Sequence, residues 1–156
     1  MKKIVLMLLA AVVMVGCGSN DGYVDLGLPS GTKWKKTDAN SLGYRWDKAV
    51  DLFGDNLPNR SQWEELYNEC EFESNGSGVK VTGPNGKSIF LSDHGKSYGE
   101  EVRFWSSSRC SDYPCTKFGW ISSFEASSYF FNRGESKHGL VCRDVYDTCY
   151  VRLVTK

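Results

Sequence analysis

Twelve uninterrupted apolar residues, Ile4 to Val15, follow the short positive start Met1-Lys2-Lys3, and no other feature constrains the chain as strongly. A membrane-spanning helix needs roughly 20 apolar residues to cross about 30 Å of hydrocarbon, so a run this short reads as a secretory signal instead. The stretch Gly18-Ser19-Asn20-Asp21-Gly22 has the polar, small-residue composition of a flexible spacer. The expected organisation is a signal peptide over 1–16, a tether over 17–22 and one domain over 23–156. Removing the signal leaves 140 residues, the size of a single domain and enough to bury a core. Losing Lys2 and Lys3 leaves 17 basic against 19 acidic residues, a net charge near −2. Backbone phosphates select for a clear basic excess, so nucleic acid is not an expected partner.

The junction Met14-Val15-Gly16-Cys17 resembles the lipobox of bacterial lipoproteins, in which an aliphatic residue and two variable or small ones precede a cysteine. That resemblance implies cleavage before Cys17, acylation of Cys17 and a membrane partner held through the lipid. Gly18 at the next position favours the outer membrane, and Asp21 resembles an acidic surface-export signal. The expected location is therefore the outer membrane, facing the periplasm or the cell surface.

Five cysteines remain: Cys70, Cys110, Cys115, Cys142 and Cys149. Outside the cytoplasm disulfides persist, so pairing is weighed before metal binding. Two bridges and one thiol can arise in about fifteen ways, among which spacing offers only a preference. It favours Cys110 with Cys115 and Cys142 with Cys149, each pair bracketing a short polar turn. Such small loops would add about 2 to 3 kcal/mol each by loop-closure entropy. Cys70 is then expected as a buried thiol behaving as a small hydrophobe.

The domain reads as α+β, mostly strand. Tyr23 to Leu28 and Thr32 to Lys36 are expected strands joined by the turn Pro29-Ser30-Gly31. Trp46, Ala49, Val50 and Phe53 recur at helical spacing, with Gly54 placed to end that helix in a left-handed cap. A second helix is expected after a capping box of Ser61 and Glu64, with Trp63, Leu66, Tyr67 and Cys70 along one face. Val79 to Thr82 and Ser88 to Leu91 flank Gly83-Pro84-Asn85-Gly86-Lys87, the strongest hairpin signal in the chain. Further strands are expected at Val102 to Ser106, Phe118 to Phe124, Ser127 to Phe131, Leu140 to Arg143 and Tyr150 to Val154.

Several of these segments resemble one family in order. Val24-Asp25-Leu26-Gly27-Leu28-Pro29-Ser30-Gly31-Thr32-Lys33-Trp34 resembles the opening of a domain common in surface lipoproteins of gut bacteria. Leu57-Pro58-Asn59-Arg60-Ser61-Gln62-Trp63-Glu64-Glu65-Leu66 resembles its Leu-Pro-Thr-x-x-x-Trp-x-Glu-Leu helix. The hairpin from Val81 to Leu91, the strand Phe104-Trp105-Ser106-Ser107-Ser108 and the ending Tyr150-Val151-Arg152-Leu153-Val154 continue the match. The family is the Fibrobacter succinogenes major paralogous domain, similar in fold to C-type lectin-like domains and to the formylglycine-generating enzyme. The resemblance implies a compact C-type lectin-like domain with two short helices and small antiparallel sheets. This chain departs from the family pattern in lacking a proline before the final valine and in carrying Cys110, Cys115, Cys142 and Cys149.

Catalytic readings find little in the residues. Gly139-Leu140-Val141-Cys142-Arg143 resembles a segment of the copper-using relative, yet no second cysteine sits in a matching motif, and a thiol ligand must stay reduced. His94 and His138 lie at no zinc-ligand spacing from other candidates, and calcium motifs of true C-type lectins are absent. Asp93-His94 lacks an accompanying serine nucleophile motif and reads as an exposed loop pair. No catalytic residue, metal or cofactor is expected. Trp34, Trp46, Trp63 and Trp105 are expected in the core. The segment from Arg109 to Lys137 combines aromatics, arginine, serine and asparagine, the composition of adaptable binding surfaces. Candidate contacts for a glycan or protein ligand are Arg109, Asp112, Tyr113, Trp120, Tyr129, Arg133 and Tyr146.

Overall fold

Asn59 starts the best-defined helix. Its side chain accepts the backbone N–H of Gln62 at 2.9 Å, and the Gln62 side chain accepts the Asn59 N–H at 2.9 Å, a reciprocal capping box. In the computed structural model, which describes residues 22–96, 101–110, 125–132 and 137–156, this helix (α2) runs Arg60–Glu69. The box expected at Ser61 and Glu64 is thus corrected to Asn59 and Gln62. Asparagine and glutamine satisfy the same orphan N–H groups, while Glu64 is taken by Arg60 Nε at 2.8 Å. The first helix (α1, Trp46–Phe53) closes at Gly54, whose φ of 47° lies in the region glycine favours. A single 3-10 turn, Gly54–Asn56, follows it.

Among the described residues the strands form four small sheets with antiparallel ladders, an α+β architecture that is mostly strand. β1 (Tyr23–Asp25), β2 (Lys33–Lys35) and β11 (Val154–Thr155) make one, with β2 in the middle. β3 (Tyr44–Arg45) pairs with β10 (Thr148–Cys149). β4 (Glu71–Asn75), β5 (Gly78–Thr82) and β6 (Ser88–Ser92) form a meander around the expected hairpin. β7 (Glu101–Arg109), β8 (Glu125–Asn132) and β9 (Lys137–Asp144) form the longest sheet. β4 has no hydrophobic alternation to announce it, because it is an edge strand with little but Phe72 turned inward. The strand expected over Tyr150 to Val154 shortens to β11: Tyr150 instead makes one parallel bridge to Phe104, and the segment runs irregularly until Val154. The strand expected at Phe118 to Phe124 lies outside the described residues.

Trp63 and Leu66 bring α2 onto the sheets, where they are fully buried with Trp34, Val81, Leu91, Phe104, Tyr129 and Val154. A second cluster forms under α1 from Trp46, Ala49, Leu57, Trp105, Cys149 and Val151. Trp34, Trp46, Trp63 and Trp105 are therefore all core residues, as expected. The β5–β6 turn docks on the segment after β1: Asn85 Nδ2 donates to the Asp25 carbonyl at 2.9 Å. A Cβ at Gly83 would stand 2.1 Å from the Leu26 carbonyl oxygen, so only glycine permits this approach.

The disulfide joins Cys110 to Cys142, with Cα atoms 6.0 Å apart, not Cys110 to Cys115 or Cys142 to Cys149. Register explains the correction. Arg109 lies opposite Ala126 and Cys142 opposite Ser127, so the two cysteines share one end of the β7–β8–β9 sheet. Cys149 stands in a different sheet, buried as a free thiol opposite Tyr44. Cys115 lies outside the described residues.

Peptide mapping without reduction should recover Cys110 joined to Cys142. The bridge spans 32 residues of sequence, so the double variant Cys110→Ser/Cys142→Ser should lose about 3 to 4 kcal/mol of unfolding free energy. A recovered Cys142–Cys149 peptide would refute the assignment.

Candidate functional site

Pairing of β3 with β10 sets Arg45 opposite Thr148, and the Trp46 backbone N–H donates to the Val145 carbonyl at 3.2 Å. The start of α1 is thereby fixed beside the turn 145–148. The Arg45 guanidinium lies 4.8 Å from the centre of the Tyr146 ring, and the Arg109 guanidinium 4.4 Å from that of Trp46. Arg45 and Trp46 are consecutive, so the two arginine–aromatic pairs adjoin in the chain, one on the exposed Tyr146 ring and one on the buried Trp46 ring. The indole N–H of Trp46 donates to the Ser106 carbonyl at 2.8 Å, which holds that ring in place. Asp144 accepts the Tyr146 N–H at 2.9 Å and shapes the turn, leaving Tyr146 59% exposed. Cation–aromatic contacts at exposed sites contribute about 0.5–1 kcal/mol each. Cys110, next in chain to Arg109, ties this region to β9 through the disulfide.

Of the expected contacts, Arg109 lies over the Trp46 ring and Tyr146 under Arg45. Tyr129 does neither, and its assignment as a ligand contact is corrected. It points inward from β8, fully buried, with its ring 4.7 Å from Trp63 and the planes 1° apart. Burial pushes its phenol well above the usual range. Asp112, Tyr113, Trp120 and Arg133 lie outside the described residues, as do the expected signal peptide and Cys17. Sequence reasoning missed Arg45, and it assigned Trp46 to packing alone; nothing in the segment Tyr44-Arg45-Trp46 announces either partner.

A second constellation is buried. His94 is not in an exposed loop: its side chain is only 7% accessible, and its backbone takes a left-handed φ of 53°. The carboxylate it faces is that of Asp38, 2.7 Å from His94 Nε2, and not that of its neighbour Asp93. Arg152 closes the group, with Nη2 2.5 Å from Asp38 and donors on the carbonyls of Lys35 at 2.8 Å and Phe90 at 2.6 Å. Asp38 thus faces both His94 and Arg152. The His94 ring stacks on Tyr150 with centroids 3.6 Å apart. Burial pushes the Asp38 carboxyl up, while Arg152 and then His94 draw it back down. Burial likewise lowers Arg152, and Asp38 opposes that shift.

This cluster ties three irregular segments together and presents no nucleophile. Burial pushes the Cys149 thiol up to about 12, while Cys70, half-buried rather than buried as expected, is pushed up to about 11 by partial burial and then by Glu69 and Glu65; both are held in the unreactive neutral form. Among the described residues no three histidine, cysteine or acidic side chains converge as a metal site.

Replacing one partner of a buried ion pair leaves a charge without compensation, at about 3–5 kcal/mol. Arg152→Met should lose that much in urea unfolding, and Asp38→Leu/Arg152→Met should recover most of it. A double variant no better than the single would deny the coupling. The thiols give a second test. Their folded values lie above the ordinary thiol value of about 8.5, so their stabilising effect is complete below that pH and declines as pH rises towards 11 and 12. Iodoacetamide at pH 8 should leave Cys70 and Cys149 unmodified in the native protein and label both in denaturant. Compared with family models, with curated proteins and with solved structures, the chain matches none.

Proposed function

We propose that the chain is a lipid-anchored cell-envelope or surface binding domain of the Fibrobacter succinogenes major paralogous domain family, with a C-type lectin-like fold. Cys17 carries the lipid and attaches the domain to the outer membrane, and a glycan or a protein is the ligand. The carrying observation is the exposed Tyr146 ring under Arg45, with Arg109 lying over the buried Trp46 ring beside the Cys110–Cys142 bridge. Arginine, tyrosine and tryptophan dominate the energetics of binding surfaces, because they bring large contact area and fixed donors at low entropy cost. A surface ordered in advance also avoids about 0.5–1.5 kcal/mol for each side chain that binding would otherwise immobilise. Burial of Tyr129 favours a second reading, an envelope assembly module without a small ligand.

The lipid anchor is tested by Cys17→Ser, which should leave the membrane fraction and take up no labelled fatty acid; a variant that keeps both would refute the anchor. Binding is tested on a panel of immobilised polysaccharides and envelope proteins. A captured partner should be lost at least tenfold in the Arg109→Ala/Tyr146→Ala variant with its melting temperature unchanged. Equal capture by that variant would assign binding elsewhere.

A further inference from the structure

Two lysines from different sheets, Lys36 and Lys80, line one groove. Strand alternation turns Val79, Val81, Ile89 and Leu91 into the core and leaves Lys80 paired with Phe90 on the other face of the β4–β5–β6 meander. Arg152 sets the end of β2 beside this face. Its two Nη groups donate to the Lys35 carbonyl at 2.8 Å and to the Phe90 carbonyl at 2.6 Å. The open groove so formed has a volume of about 360 Å³ and is lined by Lys36, Asn75, Lys80, Ser88, Ile89 and Phe90.

Both lysines are exposed, and among the described residues no acid lines the groove. Glu73 stands opposite Lys80 in register on β4, and Asp25 opposite Lys33 on β1, each outside the lining. Lys35 continues the positive charge along β2, with its ammonium 5.3 Å from the centre of the Tyr23 ring. The groove also lies where the chain enters the domain. The Lys36 N–H donates to the Gly22 carbonyl at 2.8 Å, which fixes Gly22 beside it. Gly22 is five residues after Cys17, a length of chain that spans at most about 18 Å. That reach is shorter than the width of a domain of about 130 residues, whose radius of gyration is about 14 Å. With Cys17 in a lipid layer, the side that carries Gly22 and Lys36 is therefore held towards the headgroups.

We propose that this groove receives the phosphate of an anionic lipid headgroup in the leaflet that holds Cys17, so that the domain rests on the membrane on this side. The inference rests on the lipid-anchor reading of Cys17. Charge complementarity names the occupant. A lysine ammonium is a compact point charge that meets phosphate oxygens from several directions, and anionic membrane surfaces attract lysines held within a Debye length, about 8 Å at physiological salt. The Ser88 hydroxyl supplies a further donor inside the groove, and Phe90 an apolar wall.

Lysine acetylation of the full chain, reconstituted into vesicles of phosphatidylcholine with or without phosphatidylglycerol, tests the assignment. Rates are read by mass spectrometry relative to exposed Lys48 on α1. Lys36 and Lys80 should react more slowly in the anionic vesicles than in the neutral ones, by roughly threefold or more. Lys36→Gln should remove most of the protection of Lys80. Equal relative rates in vesicles that both retain the protein on flotation overturn the proposal and leave the anchor standing. Loss of the protein from both kinds of vesicle refutes the anchor, and the proposal with it. Inorganic phosphate that protects the two lysines in detergent as fully as the anionic vesicles do marks a site for a soluble anion, and overturns the membrane assignment. Undiminished protection of Lys80 in Lys36→Gln overturns the groove as the point of contact.

Discussion

Everything in this fold hangs from an irregularity in β7. Its ladder with β8 runs regularly from Glu101 to Trp105, then shifts register before Arg109. A bulge frees backbone groups from the ladder, and buried carbonyls must find other donors. Here they find indoles: Trp63 donates to the Trp105 carbonyl and Trp46 to that of Ser106, while Trp105 itself donates to the Tyr44 carbonyl. Both helices and the short β3 strand are thereby pinned to one strand. The Ser107 N–H reaches the Pro58 carbonyl just ahead of α2, and the same bulge leads directly into Arg109 and Cys110. Tryptophan suits these positions because it supplies a large buried surface and one directed donor together.

The arginine–aromatic pairs and the buried ionic group differ in solvation. At the surface, Arg45 and Arg109 rest on aromatic rings where water still screens their charge. Inside, Asp38, His94 and Arg152 are buried together, so the loss of any partner is felt in full. Arg152 does more than neutralise. Its donors on Lys35 and Phe90 satisfy main-chain carbonyls of two other segments, which a lysine with a single ammonium group would not span so rigidly.

How much of this is legible in the sequence depends on range. Signals confined to a few residues read correctly: Asn85-Gly86 and Pro84 specify the β5–β6 hairpin, Gly54 ends α1, and the spacing of Trp63 and Leu66 marks the buried side of α2. The start of α2 reads two residues late because Asn59 and Ser61 are both good caps, and the choice falls to Gln62 and to Arg60 drawing off Glu64. Pairings set by sheet register do not read at all. Cys110 finds Cys142 because strands on either side of β8 end together, and no local spacing encodes that. For the same reason Asp93 looks like the partner of His94 by adjacency, while Asp38 holds that place in space.

The closing strand has a kinetic meaning. β2 lies between β1 and β11, so Trp34 waits for Val154 before its sheet is complete. Arg152 reaches back 117 residues to Lys35, and Asn56 reaches forward 98 to Val154. Contacts of such separation carry a large loop-closure cost before they return any energy, and they slow folding. Until the final segment arrives, β2 lacks its partner along the edge that β11 covers. A chain cut short before Arg152 would lose the guanidinium that faces Asp38 and satisfies the Lys35 and Phe90 carbonyls.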